Sequence, residues 1–466
     1  MTRFLSRATR IAVTALLLAF AIVQPAAAQE VLRDSETELL FHDISAPLVQ
    51  AAGLDPHNVK VVLLKDDSIN AFVAGGQIVY IHSGLLTAAD NVNQLQGVIA
   101  HELGHVAGGH ILRMDEGAGA ATKISILSLV LAAAAIAAGA PPDAGMGILY
   151  AGQRAALGDF MAFTRAQESS ADLAGASYLS KAGVSGRGSL EFFKKLQNQE
   201  YRLAIYSEDS YDRTHPLSQE RIQALEEIYH KDPSWAKPID PALEARFERV
   251  KAKLQGYIDP QLAIRKYPES DQTVPGHYAR AYAYHLGAYP DKAVSEADSL
   301  LKTAPEDPFF LELKGQILLE SGKPKEAIPV LRESVKNAPD QPMIAVMLGH
   351  ALIASEDDKN FAEAKQVLKA AVNRDNDNPF AWLQLGMIYD HEGDTPRAAL
   401  ATAERNNLEG NPKLALTSAR MAMMGIPANT PDYLRAQDIY LVSENALKKD
   451  KKRGVKVEPR EPGKPK

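Results

Sequence analysis

Gly97-Val98-Ile99-Ala100-His101-Glu102-Leu103-Gly104-His105 is the stretch on which the fold and chemistry of this chain turn. Apolar positions recur at helical spacing from Leu95 onward, and Asp90 or Asn91 stands where a helix is capped, so a helix with one buried face is predicted. Four residues advance a helix by slightly more than one turn. His101 and His105 therefore project from the same side and can grip one metal ion, with Glu102 beside them. The same string also occurs on exposed helices that merely carry two histidines, so its surroundings have to decide.

Downstream, Glu168 and Asp172 lie four residues apart on a second helix, predicted from about Phe160 to Lys181 and ended by Gly183. Glu168 would complete a two-histidine, one-carboxylate metal site, and Asp172 would accept a hydrogen bond from a ligand imidazole and fix its tautomer. The chain has no cysteine, which excludes disulfides, thiol nucleophiles and sulfur-ligated metals. Three protein ligands leave a fourth position for water, and Glu102 would act as the general base in peptide hydrolysis. His110, five residues past His105 and about 140° round the helix, is not expected to be a ligand. His42, His57, His82, His230, His277, His285, His350 and His391 lack metal spacing.

Upstream, Ser35 to Ala52 reads as a helix. Val59–Leu64, Ile69–Val73 and Gln77–His82 read as a small antiparallel sheet with a turn at Gly75-Gly76. Gln77–His82 is the strand expected to offer an exposed edge to an extended substrate. With Asn70-Ala71-Phe72, Gly75-Gly76, His101-Glu102-x-x-His105, Glu168-x-x-x-Asp172, Thr214-His215-Pro216 and Arg221, residues 29 to about 231 resemble the peptidase family M48 metalloproteases, a gluzincin group. The resemblance implies one zinc per chain held by His101, His105 and Glu168, with Glu102 as general base. It also brings His215 into the active site, either as a fourth zinc ligand that blocks water or as a donor to the developing oxyanion. Phe72-Val73-Ala74-Gly75 departs from the family in lacking the proline often found before the paired glycines, which bears on the shape of the strand edge.

The 466 residues are too many for one ordinary domain. Arg3, Arg7 and Arg10, the apolar run Ile11 to Val23, and Ala26 and Ala28 form an export leader with cleavage expected after Ala28; the run is too short for a spanning anchor. Residues 29–235 form the metalloprotease domain, and Pro233, Pro238 and Pro241 mark its end. In residues 236–446, Ala281, Gly315 and Gly349 recur every 34 positions, as do Pro308 and Pro342. Pro379 and Gly386 come three residues late, an excess that Ser355–Asn360 can absorb in a longer turn. These spacings resemble tetratricopeptide repeats, so the fold class is α+β but mostly α: a gluzincin-type domain followed by an all-α solenoid. Residues 447–466 read as a basic disordered tail.

Ile124 to Pro142 carries no charge; about 15 helical residues would span only about 22 Å, so it reads as a buried helix or helical hairpin, or as an interfacial membrane contact or a cover for the cleft. A mild acidic excess, 58 Asp and Glu against 51 Lys and Arg, argues against nucleic acid as a partner. The leader and the lack of cysteine fit a periplasmic protein. Repeats supply a protein-binding surface, so the partners expected are unfolded or misassembled proteins. By the resemblance these include outer-membrane β-barrel proteins and their assembly machinery. The competing reading is a chaperone or scaffold whose zinc site is closed.

Overall fold

The computed structural model describes residues 30–137, 141–203, 215, 216 and 218–452. The expected leader, Thr214 and the end of the basic tail lie outside these. The first unit starts with β1 (Glu30–Leu32), α1 (Ser35–Ala51), β2 (Lys60–Lys65), β3 (Ala71–Ala74), β4 (Ile78–His82), α2 (Ser83–Ala88) and α3 (Val92–Ala107). It continues with α4 (His110–Ala137), α5 (Pro142–Ala182), α6 (Arg187–Leu203) and α7 (Gln219–Lys231).

The sheet order is β1-β2-β4-β3. β1 pairs antiparallel with β2, and β3 with β4, but β2 and β4 run parallel, which corrects the expected all-antiparallel sheet. The Gly75-Gly76 turn, both residues at positive φ, folds β3 back onto β4. The hairpin then docks through its second strand. β4 is consequently an inner strand and β3 the edge on that side, so the exposed edge expected at Gln77–His82 lies instead at Ala71–Ala74. Alternation along the strand shows which residues face inward, whereas it carries no information on neighbour order.

α3 runs through the centre of the core, among Leu40, Ile44, Val79, Ile81, Phe192 and Phe193. Two glycines let other helices approach it. A Cβ on Gly97 would meet Ser189 Cα at 2.5 Å, and one on Gly104 would meet the Ala171 carbonyl oxygen at 2.6 Å. α4 and α5 form a helical hairpin. α4 has 28 residues, not about 15, and α5 begins 18 residues before the predicted Phe160; Gly117 and Gly119 lie within the helix. The hairpin is also not buried: Ile126, Leu127, Leu129, Val130 and Leu131 are all exposed.

α8 (Pro241–Ile258) follows the proline-rich stretch, yet its Phe247, Val250 and Leu254 join the core of the first unit, so that core extends beyond residue 235. A short α9 (Pro260–Lys266) leads to helix pairs α10 (Val274–Leu286) with α11 (Pro290–Thr303) and α12 (Pro308–Glu320) with α13 (Pro324–Asn337). Next come α14 (Pro342–Ala354) with α15 (Phe361–Arg374) and α16 (Pro379–His391) with α17 (Thr395–Leu408). α18 (Pro412–Gly425) and α19 (Pro431–Lys452) close the array, so α19 carries helix past Leu447 into the first residues of the expected tail. Gly315 and Gly349 let each pair close: a Cβ there would meet Leu331 at 2.4 Å and Leu368 at 2.6 Å. The three extra residues form a 3-10 turn at Asp358–Asn360.

The array is fastened to the first unit by buried charge. Glu36, at the start of α1, is 3% exposed and meets Arg249 at 2.7 Å, Lys253 at 2.8 Å and the Tyr278 hydroxyl at 2.7 Å. Farther along, Asp375 meets Arg33 at 2.9 Å and Asp377 meets Lys60 at 3.0 Å. The repeats thus curl around the β1 side of the sheet and form one wall of a half-open cavity of about 480 Å³ lined in part by Leu32, Tyr282, Glu312, Met347 and Phe380. The expected ligands His101, His105 and Glu168 are not among those lining it.

Candidate metal centre

α3 is built to hold its histidines still. The Asn91 side chain accepts from the Gln94 amide at its N-terminus, and Val98, Ile99 and Leu103 are fully buried. His101, Glu102 and His105 are buried with them, at 2%, 0% and 8% exposure. Gly104 brings α5 close enough for Glu168 to reach both imidazoles. His101 Nε2 and His105 Nε2 lie 3.2 Å apart, and each lies 3.4 Å from a Glu168 oxygen. His215 Nδ1 is 3.4 Å from His101 Nε2 and 3.1 Å from Glu168 Oε1.

These separations test whether a metal fits. A tetrahedral ion with ligand bonds of about 2.0–2.1 Å needs donors roughly 3.3 Å apart, and every separation quoted agrees. His101, His105, Glu168 and His215 together form one buried group able to hold an ion. Imidazole nitrogen with a carboxylate suits a borderline first-row ion such as zinc.

Around this group the structure places Asp172 Oδ1 2.9 Å from His101 Nδ1, on the ring face away from the donors. Arg221 forks onto Asp172 through Nε and Nη2, at 2.7 and 2.9 Å, and donates to the Pro216 carbonyl at 2.7 Å. Arg221 thereby ties the His215 segment to α5. It also approaches Glu168 to 3.2 Å. His110 Nδ1 stands 3.0 Å from His105 Nδ1, the ring nitrogen opposite the donor atom. The helical-wheel angle used for His110 does not apply, because Gly109, at φ +61°, ends α3 before α4 begins. His110 is not part of the donor group but abuts one of its members, and the signal for that in the sequence is the Gly108-Gly109 pair.

Burial governs the electrostatics. It pushes the Glu102 carboxyl above its ordinary range, towards the strength of a useful base. Its two oxygens have no hydrogen-bond partner among the described residues, and His215 Nε2 stands 3.5 Å from one of them. Burial alone would depress His101, but hydrogen bonds to Asp172 and Glu168 outweigh it and push the imidazole up to about 10. His105 is lowered to about 2 by burial and by the facing charges of His101 and His215. Burial would likewise raise Glu168 and Asp172; His101 with His215 for the former, and Arg221 with His101 for the latter, hold both carboxylates below their ordinary range.

A small edge-stranded sheet, an H-E-x-x-H helix and a carboxylate from α5 define a metallopeptidase domain. Residues 35–229 match Peptidase family M48, and residues 310–341 match a tetratricopeptide repeat; the first unit is an M48 domain and the array is a repeat solenoid. The chain is similar to the Beta-barrel assembly-enhancing protease of Escherichia coli, 27% identical over 365 residues covering 75% of this chain and 71% of that one. It is 28% identical over 292 residues to the corresponding protease of Vibrio cholerae, covering 61% of this chain and 59% of that relative. Among solved structures, YrrB, a TPR protein with an unusual peptide-binding site, aligns at 18% identity and TM-score 0.31, covering 38% of this chain and 92% of that one.

Proposed function

We propose that this chain is a zinc-dependent endopeptidase of the periplasm, acting in quality control and assembly of outer-membrane proteins, with its repeats recruiting clients or assembly machinery. The observation that carries the enzymatic part is the convergence of His101, His105 and Glu168 beside the buried carboxylate of Glu102, whose oxygens have no hydrogen-bond partner among the described residues. A purely structural metal site has no use for that carboxylate. The periplasmic address rests on the leader, and the client class on likeness to the β-barrel assembly-enhancing proteases.

When bound, zinc supplies Lewis acidity, polarising a peptide carbonyl and lowering the pKa of water. Glu102 accepts the proton of the attacking water and passes it to the leaving amine. Asp172 holds His101 in one tautomer and orientation, and Arg221 holds Asp172. The β3 edge aligns an extended substrate by main-chain hydrogen bonds, giving cleavage with weak sequence preference.

His215 Nδ1 lies within donor distance of His101 and Glu168, which supports a closed state in which His215 would be the fourth donor and would have to leave before a substrate is cut. This keeps alive a second reading, a binding scaffold with a permanently shut site. The test is digestion of casein with and without a chelator, with zinc content measured in parallel. Glu102→Gln should retain one zinc per chain and lose hydrolysis by several orders of magnitude. Cleavage at the parent rate by Glu102→Gln would remove the enzymatic assignment.

A further inference from the structure

The α4–α5 hairpin is apolar on the outside and small on the inside. Between Lys123 and Asp159 the buried residues among those described are Ser128, Ala132 and Ala156, and Gly152 lies so close that a Cβ there would come within 1.9 Å of Ser128. The large side chains Ile126, Leu127, Leu129, Val130 and Leu131 point outward at 51–59% exposure, and Tyr150 on α5 is 64% exposed. A hairpin that folds in water does the reverse, burying its leucines in the seam. Small residues at the helix contact with large apolar residues facing out is the arrangement that suits lipid.

The exposed positions also spread around more than half of α4, since successive residues turn by about 100°. A second copy of the chain would cover one stripe of such a surface, whereas a lipid leaflet covers all of it. Lys123 on α4 and Arg154 on α5 come within about one turn of the same level, given that Ser128 faces Gly152. Between Lys123 and Arg154 the only charged residue in the sequence is Asp143. Its cost is outweighed by burial of the exposed apolar side chains. From Lys123 to Ala137 the leg rises about 21 Å, enough to pass through one leaflet and too little to cross a hydrocarbon core of about 30 Å.

We propose that the α4–α5 hairpin inserts into one leaflet of an anionic phospholipid bilayer, with Lys123 and Arg154 at the headgroups. Glu168 lies 14 residues below Arg154 on α5, so the metal centre would stand about 20 Å from the membrane surface. This docking does not depend on the site being catalytic.

The absence of cysteine makes the test direct. The full chain, expressed with its own leader and with its N-terminus read by mass spectrometry, is given one cysteine at Leu129→Cys and labelled with an environment-sensitive dye. A second protein labelled at Leu434→Cys, exposed on α19, is the control. Vesicles of phosphatidylethanolamine and phosphatidylglycerol should raise emission several-fold at position 129 and leave position 434 unchanged. Lipid-borne quenchers should suppress the signal at position 129. Leu127→Glu with Val130→Glu, both on the exposed surface, should lower the vesicle-bound fraction at least tenfold while keeping the circular dichroism spectrum. No response at position 129, an equal response at position 434, or unchanged binding by the double variant would overturn the proposal. Emission at position 129 that rises with protein concentration alone, without vesicles, would overturn it in favour of a second copy.

Discussion

Gly104→Ala tests how the metal site is assembled without touching any of its donors. The added Cβ would sit 2.6 Å from the Ala171 carbonyl oxygen and 2.8 Å from its Cα, on backbone that cannot rotate away. Ordinary contact begins near 3.4 Å, so α3 and α5 must part by about 0.8 Å. Glu168 sits one turn from Ala171 on α5 and moves with it, while His101 and His105 stay with α3. A metal site tolerates about 0.2 Å in its ligand distances. The substitution should therefore raise the zinc dissociation constant by about 10- to 100-fold, the size of effect seen when ligand support is disturbed. Overpacking should cost about 1–3 kcal/mol of stability. Gly119→Ala on α4 is the control, since nothing lies within 4 Å of its Cβ; it should keep zinc and gain about 0.5–1 kcal/mol from helix propensity. The assay is competition with a chromophoric chelator, together with urea denaturation of the metal-free and metal-loaded forms. Parent zinc affinity in folded Gly104→Ala would refute the claim that this glycine sets the reach of Glu168.

His215→Ala should keep zinc and raise peptidase activity several-fold on casein, because the fourth donor is gone; a fall in activity instead would assign His215 to the oxyanion. Glu36→Ala should cost about 3–5 kcal/mol in urea denaturation, since it leaves Arg249 and Lys253 buried with less counter-charge, whereas Glu38→Ala on the exposed Arg33 pair should stay under about 1 kcal/mol. Glu312, which lines the cavity between the repeats and the sheet, is pushed up to about 8 from an ordinary 4.5 by burial and by Asp34. Between those values the folded chain holds a proton that the unfolded chain has released, so stability falls as pH rises from 4.5 to 8. Glu312→Gln should flatten that fall by on the order of 2 kcal/mol, and parallel pH–stability curves for the two proteins would count against it.

The donor residues were legible because a helix places i and i+4 on one side and because an acidic pair followed at a usable distance. The repeats were legible from glycine and proline at a fixed period, down to the turn at Asp358–Asn360 that takes up three extra residues. Strand order was not, since which strand of the Gly75-Gly76 hairpin docks against β2 depends on contacts distant in sequence. The hairpin length was not legible because only the uncharged run from Ile124 marked a helix, whereas α4 starts at His110 and Gly117 lets Phe163 of the facing helix pack against it. Arg221 was visible as part of a motif, but its task, forking onto Asp172 while holding the Pro216 carbonyl, needs three elements in place at once.

The closed state and the substrate edge turn out to be one problem. His82 donates its amide to the Asn70 carbonyl, so along β3 the next carbonyl, that of Ala71, points away from β4 towards the open edge. His215 Nε2 lies 3.3 Å from that oxygen while Nδ1 stands among the metal donors. One imidazole therefore spans both the hydrogen-bonding edge and the fourth ligand position that a peptide would have to occupy. An extended substrate that pairs with Ala71 competes for the same carbonyl, and its scissile group then meets a ligand position that His215 has lost one reason to hold. On the proposed function, opening by the substrate itself would need no separate signal and would restrict hydrolysis to chains that present unpaired strand.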